Sequence, residues 1–237
     1  AAIERSGSAP DSVDEVLMGC VLPAGQRQAP ARQAALGAGL PLAIPCTTIN
    51  KMCGSGMKAA MLGHDIIRAG AARVTVTGGL ESMSNAPYLL PKARAGYRLG
   101  NGELLDHMFV DGLEDAYEPG KLMGHYAEDC AERYGFSRKD QDDFAIESLT
   151  RAKEATDSGA FRDEITPVSI VGRKETVTVE FDEQPLNANI EKIPHLKPAF
   201  RKDGTVTPAN SSSISDGGAA LVMMRLSDAA KGGHVPL

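Results

Sequence analysis

Thr47-Thr48-Ile49-Asn50-Lys51-Met52-Cys53-Gly54-Ser55-Gly56-Met57-Lys58-Ala59-Ala60 is the stretch around which the chain is organised. Pro45 precedes a short β-branched run, and apolar residues at helical spacing (Met57, Ala60, Met61, Ile67) begin just beyond Cys53. A strand running into a helix is expected, with Cys53 at the helix start and Ala69-Gly70 at its end. A sulfur there faces the unpaired N–H groups of the first turn and the positive end of the helix dipole. Both favour the thiolate, which is the nucleophilic form. Gly54, Ser55 and Gly56 leave room either for a ligand against the backbone or for tight packing of the helix between sheets. A free cysteine is also a common buried, inert core residue, so the local stretch leaves nucleophile and core cysteine open.

Outward from this stretch, residues 12–19 read as a strand entering a turn. Residues 29–38 read as an alanine-rich helix with Pro30 in its first turn and Gly39 and Pro41 as its stop. Residues 73–77 read as a strand broken by Gly78-Gly79. Strand, helix and strand in this order imply parallel α/β layers. The central helix has few polar interruptions (Lys58, His64, Asp65, Arg68), which predicts burial on most sides. No complete βαβ unit precedes residue 12, so the first strands of the domain are expected to be missing.

From Pro87 to about Lys202 glycine, proline and charges become frequent. Ser137-Arg138-Lys139-Asp140 forms a capping-box pattern that opens a helix through Asp157, with Gly159 beyond its end. Residues 165–171 and 176–181 read as two strands about a turn at 172–174. This block reads as an insertion carrying loops over the site. Residues 205–218 are dense in small hydrogen-bonding side chains, and 219–224 read as a buried strand returning to the first sheet. The expected division is therefore 1–90 as the first, partial half, 91–204 as a loop insertion, and 205–237 as the return and the start of a linker.

The formal charge of −6 argues against nucleic acid as the main partner. Apolar runs are too short to span a bilayer and no signal segment opens the chain, which predicts a soluble, cytoplasmic protein. Cys20, Cys46, Cys53 and Cys130 are widely spread with no C-x-x-C pair. That spacing suits reduced thiols and offers neither a zinc knuckle nor a disulfide framework, so no metal is expected.

Three separated motifs then point one way. Asn50-Lys51-Met52-Cys53-Gly54-Ser55-Gly56 resembles the nucleophile motif of the thiolase family, the acyl-CoA acetyltransferases. Gly78-Gly79-Leu80-Glu81-Ser82-Met83-Ser84-Asn85-Ala86-Pro87 resembles that family's second signature, and Asn210-Ser211-Ser212-Ser213-Ile214-Ser215-Asp216-Gly217-Gly218-Ala219 its loop-to-strand return. The stretches Ser137 to Asp143 and Lys197-Pro198-Ala199-Phe200 are also similar to it. The resemblance implies an α/β fold of two similar halves stacked in five αβαβα layers, of which this chain is mostly the N-terminal half with its loop insertion. It implies reversible acyl transfer between CoA thioesters, with Cys53 carrying the acyl group and its own backbone N–H forming half of an oxyanion hole.

Carried over residue by residue, the resemblance makes Ser212 a hydrogen-bond partner of the pantetheine arm of CoA. Pro208, Ala209 and Phe200 become the pocket wall beside it, and Met123 and Leu113 line the acyl and pantetheine tunnel. Phe200, Leu113 and Met123 also read as ordinary core residues. The chain departs from the family in lacking its second cysteine, its Gly-His-Pro histidine and its asparagine. His234, in Gly233-His234-Val235-Pro236, lacks the small-residue run expected after that histidine. An arginine that the family often places ahead of the Pro-Ala-Phe motif stands here as Leu186 or nearby. His64 reads as a structural histidine of a buried helix, and His107 and His195 as loop residues with no partner in view.

The chain alone is therefore expected to be inactive, and the full protein an active acetyltransferase. A non-catalytic CoA-binding fragment and a ketoacyl synthase-like condensing enzyme are the alternatives. No cofactor is expected beyond CoA thioesters as substrates. Acyl-CoA and CoA are the expected partners, without nucleic acid or membrane, in a homodimer or homotetramer with residues 91–124 as contact loops.

Overall fold

Along β1 (Glu15–Gly19), Val16 and Met18 point to one face and Leu17 to the other, and all three are buried. A strand covered on both faces belongs inside a layered α/β arrangement, and the structure, a computed structural model describing residues 1–236, has that form. The chain forms two compact units, one from Ala1–Gly120 with the segment from Ile214 onward, the other from Lys121–Ser213.

In the first unit, α1 (Ala2–Ser6) leads to β1, then α2 (Pro30–Gly37), β2 (Cys46–Ile49), α3 (Ser55–Ala69) and β3 (Val74–Ser82). The short β4 (Tyr88–Leu89) and β5 (Leu105–Asp106) pair with each other. β1 lies between β2 and β3 and is parallel to both, with Val16 opposite Cys46 and Val76. One face of the sheet packs Val16, Met18 and Val76 against Ala31 and Ala35 of α2, closed by Leu40 and Ile44. The other face presents Thr75 and Thr77 to Gly63 of α3. Three layers result, α2, sheet and α3, as the strand–helix–strand order predicts.

Three expectations are corrected here. Gly78 and Gly79 do not break a strand; they lie inside β3, because backbone must approach there. A Cβ on Gly78 would lie 2.0 Å from the Ala219 carbonyl oxygen, and one on Gly79 would lie 3.2 Å from the Gly56 Cα. Next, α3 is buried on one stripe only, Ser55, Ala59, Gly63 and Ile67, while Met57 and Met61 on its outer side are 73% and 52% exposed. Among the described residues a single sheet covers this helix, so its apolar outer side meets no second layer. His64 follows that outer side and is exposed beside Asp65 rather than part of a core. The third concerns the returning strand, which spans 216–224 and is mostly exposed. Designated β8 in chain order, after the second unit's strands, it is an edge strand paired on one side to β3, antiparallel, with Val222 opposite Val76.

The second unit opens with α4 (Met123–Tyr134), followed by α5 (Arg138–Ser158). The α5 cap is the one predicted: Ser137 Oγ accepts the Asp140 N–H, and the Asp140 carboxylate accepts the Ser137 N–H at 2.9 Å. Gly159 closes the helix in the left-handed conformation at φ 72°. The predicted strand pair forms as β6 (Val168–Val171) and β7 (Thr176–Val179), and α6 (Glu183–Asn187) follows. Its Leu186 is exposed. After β8 in the first unit, α7 (Leu226–Gly232) ends where His234 Nδ1 hydrogen-bonds the Ser6 carbonyl at 2.8 Å, a structural tie. Among the described residues no helix is long and apolar enough to cross a membrane.

Candidate active site

β2 ends at Ile49, and the turn that follows carries Cys53 at the carboxyl end of the parallel strands, where open α/β sheets bind ligands. Cys53 sits just before the helix rather than in its first turn: Gly54 is the N-cap and α3 starts at Ser55. The displacement has a local cause. Met52 takes a left-handed φ of 49°, and the Ser55 N–H closes a tight turn onto the Met52 carbonyl at 2.9 Å. A left-handed non-glycine residue costs about 1–2 kcal/mol, and the Met52 side chain is too exposed to offset that by burial. Hydrogen bonds offset it instead, at about 1 kcal/mol net each. The buried Ser55 hydroxyl accepts the Lys51 N–H at 2.8 Å and donates to the Met52 carbonyl at 2.5 Å. Asn50 Oδ1 accepts the Met52 N–H at 3.0 Å.

The first turn of α3 is seated directly on the sheet. A Cβ on Gly19 would lie 2.4 Å from the Ser55 carbonyl carbon, and Gly56 faces Gly78 and Gly79. Gly56 therefore serves close packing, whereas Gly54 caps the helix beside open space, with only the Lys51 carbonyl among the described residues within 4 Å of a Cβ built there. Beside this seat, Glu81 of β3 accepts the Val21 and Leu22 N–H groups, both at 2.9 Å, and fixes the chain leaving β1.

Two of the four thiols sit in opposite environments. Cys53 is exposed and Cys20 is buried. Burial, then the Glu81 carboxylate 3.6 Å from the sulfur, push the Cys20 thiol up to about 11. Cys20 thus has the environment of an inert core cysteine, while Cys53 has the access that nucleophilic chemistry requires. In the same unit Leu113 is half-buried at the end of a π-turn (Phe109–Leu113). Two turns of sequence earlier, buried His107 pairs with Asp111 at 2.6 Å, correcting the reading that it has no partner; the i,i+4 spacing was the legible signal.

The remaining predicted residues lie in the second unit. Met123 opens α4, and the Phe200 ring lies against Gly124, where a Cβ would come within 2.2 Å of it. Phe200 also meets the His125 ring edge-on, centroids 5.7 Å apart, while His125 Nδ1 accepts the Leu122 N–H. The Ala199 N–H donates to the Val206 carbonyl at 2.9 Å, which joins the Phe200 segment to the loop holding Pro208, Ala209 and Ser212. Pro208 and Ser212 are exposed and Ala209 is half-buried.

Buried polar residues that sequence reasoning missed shape that loop. The Glu128 carboxylate accepts the Thr205 N–H, the Thr205 hydroxyl and, at 2.9 Å, the Val206 N–H. Burial alone would raise its pKa, but these donors and nearby Arg201 outweigh that and hold it below the usual carboxylate value. Asn210 Oδ1 accepts the Thr207 N–H at 2.7 Å, and its Nδ2 donates to the buried Asp142 at 3.0 Å. Arg201 is engaged by Asp129 and by Glu132 at 3.2 Å.

Together these features define a layered α/β protein that presents an accessible cysteine on a braced turn at the mouth of its parallel strands. The family follows from comparison with known proteins. The model of the thiolase N-terminal domain matches residues 1–227, and the chain belongs to the thiolase family. It is 50% identical over 224 residues to an acetyl-CoA acetyltransferase of Pseudomonas aeruginosa, covering 94% of this chain and 57% of that protein. A Schizosaccharomyces pombe acetyl-CoA acetyltransferase is 50% identical over 238 aligned positions, covering 100% of this chain and 60% of that one. A mitochondrial acetyl-CoA acetyltransferase of Rattus norvegicus is 48% identical over 94% of this chain and 52% of its own length. The chain thus spans a little over half the length of the curated relatives it matches.

Proposed function

We propose that the chain is the nucleophile-bearing part of a thiolase, which converts two acyl-CoA molecules reversibly to a 3-oxoacyl-CoA and free CoA. One observation carries the reading: an exposed cysteine, Cys53, stands on a braced turn beyond a parallel strand in a chain of this family. In the cleavage direction the Cys53 thiolate attacks the 3-oxo carbonyl carbon. The bond from that carbon to the α-carbon breaks, its electron pair leaves with the acetyl-CoA fragment, and that fragment takes up a proton. Cys53 keeps the acyl group as a thioester until the thiol of free CoA attacks it, releasing acyl-CoA and restoring the cysteine.

The Cys53 N–H is assigned to the developing oxyanion. Ser212 is assigned to the pantetheine arm, with Pro208, Ala209 and Phe200 as pocket wall and Met123 and Leu113 along the tunnel. CoA thioesters are substrates and no cofactor is assigned. A homodimer or homotetramer, with residues 91–124 in contact, belongs to the same reading. So does a reducing, cytoplasm-like setting, which suits four free cysteines. The proton-transferring base and second cysteine are assigned to the part of the relatives that this chain does not span. The 237-residue chain by itself is then expected to be inactive.

Incubation of the full-length protein with radiolabelled acetyl-CoA should leave a thioester on Cys53 that Cys53→Ala abolishes. Absence of label at Cys53 refutes the assignment, and thiolysis by the 237-residue chain alone contradicts the division of residues.

A further inference from the structure

We propose that Ser55 is the positioning residue of the nucleophile turn, holding Met52 left-handed and thereby aiming the Cys53 sulfur. The inference rests on Cys53 as the acyl-carrying nucleophile. The Ser55 hydroxyl, on a residue only 4% exposed, folds back over the turn that precedes its helix. Its two hydrogen bonds, from the Lys51 N–H and to the Met52 carbonyl, bracket the φ and ψ of Met52 from both sides. Asn50 Oδ1 secures the Met52 N–H between them. Ser55 itself cannot retreat, because a Cβ on Gly19 would lie 2.7 Å from the Ser55 Cβ, so the sheet backs the serine directly. The sheet fixes Ser55, Ser55 fixes the turn, and the turn sets the direction of Cys53. Such a residue acts on bond formation at sulfur and leaves substrate affinity alone.

Two readouts on Ser55→Ala, Met52→Gly/Ser55→Ala and wild type test this. One is alkylation of Cys53 by iodoacetamide in the 237-residue chain, followed by mass spectrometry, which needs no CoA chemistry. The other is single-turnover acetylation of the full-length protein by acetyl-CoA. Since misplacing a reacting atom by about 1 Å costs on the order of 100-fold, Ser55→Ala should slow acetylation about 100-fold at unchanged half-saturating acetyl-CoA. Alkylation by a freely diffusing reagent is less exacting and should slow by a smaller factor.

Glycine takes a positive φ without strain, so Met52→Gly should restore most of both rates in the Ser55→Ala background. A Ser55→Ala protein that matches wild type, or a double variant no faster than Ser55→Ala, overturns the proposal. Should Ser55→Ala fail to fold, exposed Asn50 gives the same test: Asn50→Ala should slow alkylation, while Asn50→Ser, which keeps an acceptor, should not. Equal rates for that pair overturn the proposal as well. Wild-type protein that alkylates normally but never acetylates sinks the acyltransferase reading and leaves the positioning role standing.

Discussion

Replacing Gly63 by alanine tests whether backbone contact seats α3 on the sheet. The new Cβ would lie 2.5 Å from Thr77 Cγ2 and 3.0 Å from Thr75 Oγ1, both on fully buried residues. Carbon atoms in good contact sit about 3.5–4.0 Å apart, so helix and strand must separate by about 1 Å. Alanine brings back about 1 kcal/mol of helix propensity, while overpacking a buried contact costs roughly 1–3 kcal/mol. The chain should therefore lose up to about 2 kcal/mol instead of gaining the roughly 1 kcal/mol that propensity alone predicts. Thr77→Ser removes the offending methyl but keeps the hydroxyl that meets Met223 Sδ at 3.1 Å. Alone it should cost about 1 kcal/mol for one buried methyl; combined with Gly63→Ala it should be nearly as stable as either single variant. Hydrogen exchange of α3 and β3 amides, with urea titration, gives the three values. Costs that add within about 0.5 kcal/mol, or a Gly63→Ala chain more stable than wild type, would refute direct contact as the reason for this glycine.

The neighbouring Thr75 hydroxyl is buried with no hydrogen-bond partner among the described residues, so Thr75→Val, of the same shape, should stabilise the chain by about 1 kcal/mol, read as slower exchange of β3. Native-state labelling with iodoacetamide should modify Cys53 and spare Cys20, whose thiol burial and Glu81 push up to about 11; rapid labelling of Cys20 in folded protein would contradict that environment. Glu128 titrates below its ordinary 4.5 because its hydrogen-bond donors outweigh burial. Its contribution is then complete above about pH 4.5 and is lost as pH falls through the lowered folded value. Glu128→Gln should flatten that acid-side loss in the exchange of residues 205–207 and cost about 2 kcal/mol at pH 7.

Much of this arrangement was legible in the residues themselves. The capping box at Ser137 and the terminal glycines 70 and 159 are local chemistry, decided within one turn, and the helices end where they predict. What could not be read were distances between segments far apart in sequence. Gly78-Gly79 reads as a break until β8 and α3 are known to press against it, and then it becomes the reason a strand can continue. Met57 and Met61 read as core because they share the helix's apolar spacing, yet the sheet reaches only the stripe of small residues on its other side and leaves both methionines exposed. α4 was missed because its first turn, Met-Gly-His-Tyr, carries no N-cap signal and its buried stripe includes a carboxylate, Glu128. A glutamate in sequence reads as solvated; only the donors of Thr205 and Val206, some eighty residues on, make it a buried brace.

Two kinds of constraint meet at Cys53 and control different coordinates. Glycines at 19, 56 and 79 let backbone touch backbone, which sets how far the start of α3 stands from the sheet and leaves almost no freedom along that direction. They say nothing about the rotation of the residues just ahead of the helix. That rotation is set by a strained Met52 and by the Ser55 and Asn50 hydrogen bonds that oppose the strain, terms of about 1 kcal/mol each. A rigid seat with a delicately balanced turn above it suits a nucleophile: the helix end stays fixed while the sulfur occupies one direction only so long as those few bonds persist. Chemistry at Cys53 should therefore be far more sensitive to its polar neighbours than the stability of the fold is, since the turn's terms are small beside the burial of a whole α/β layer.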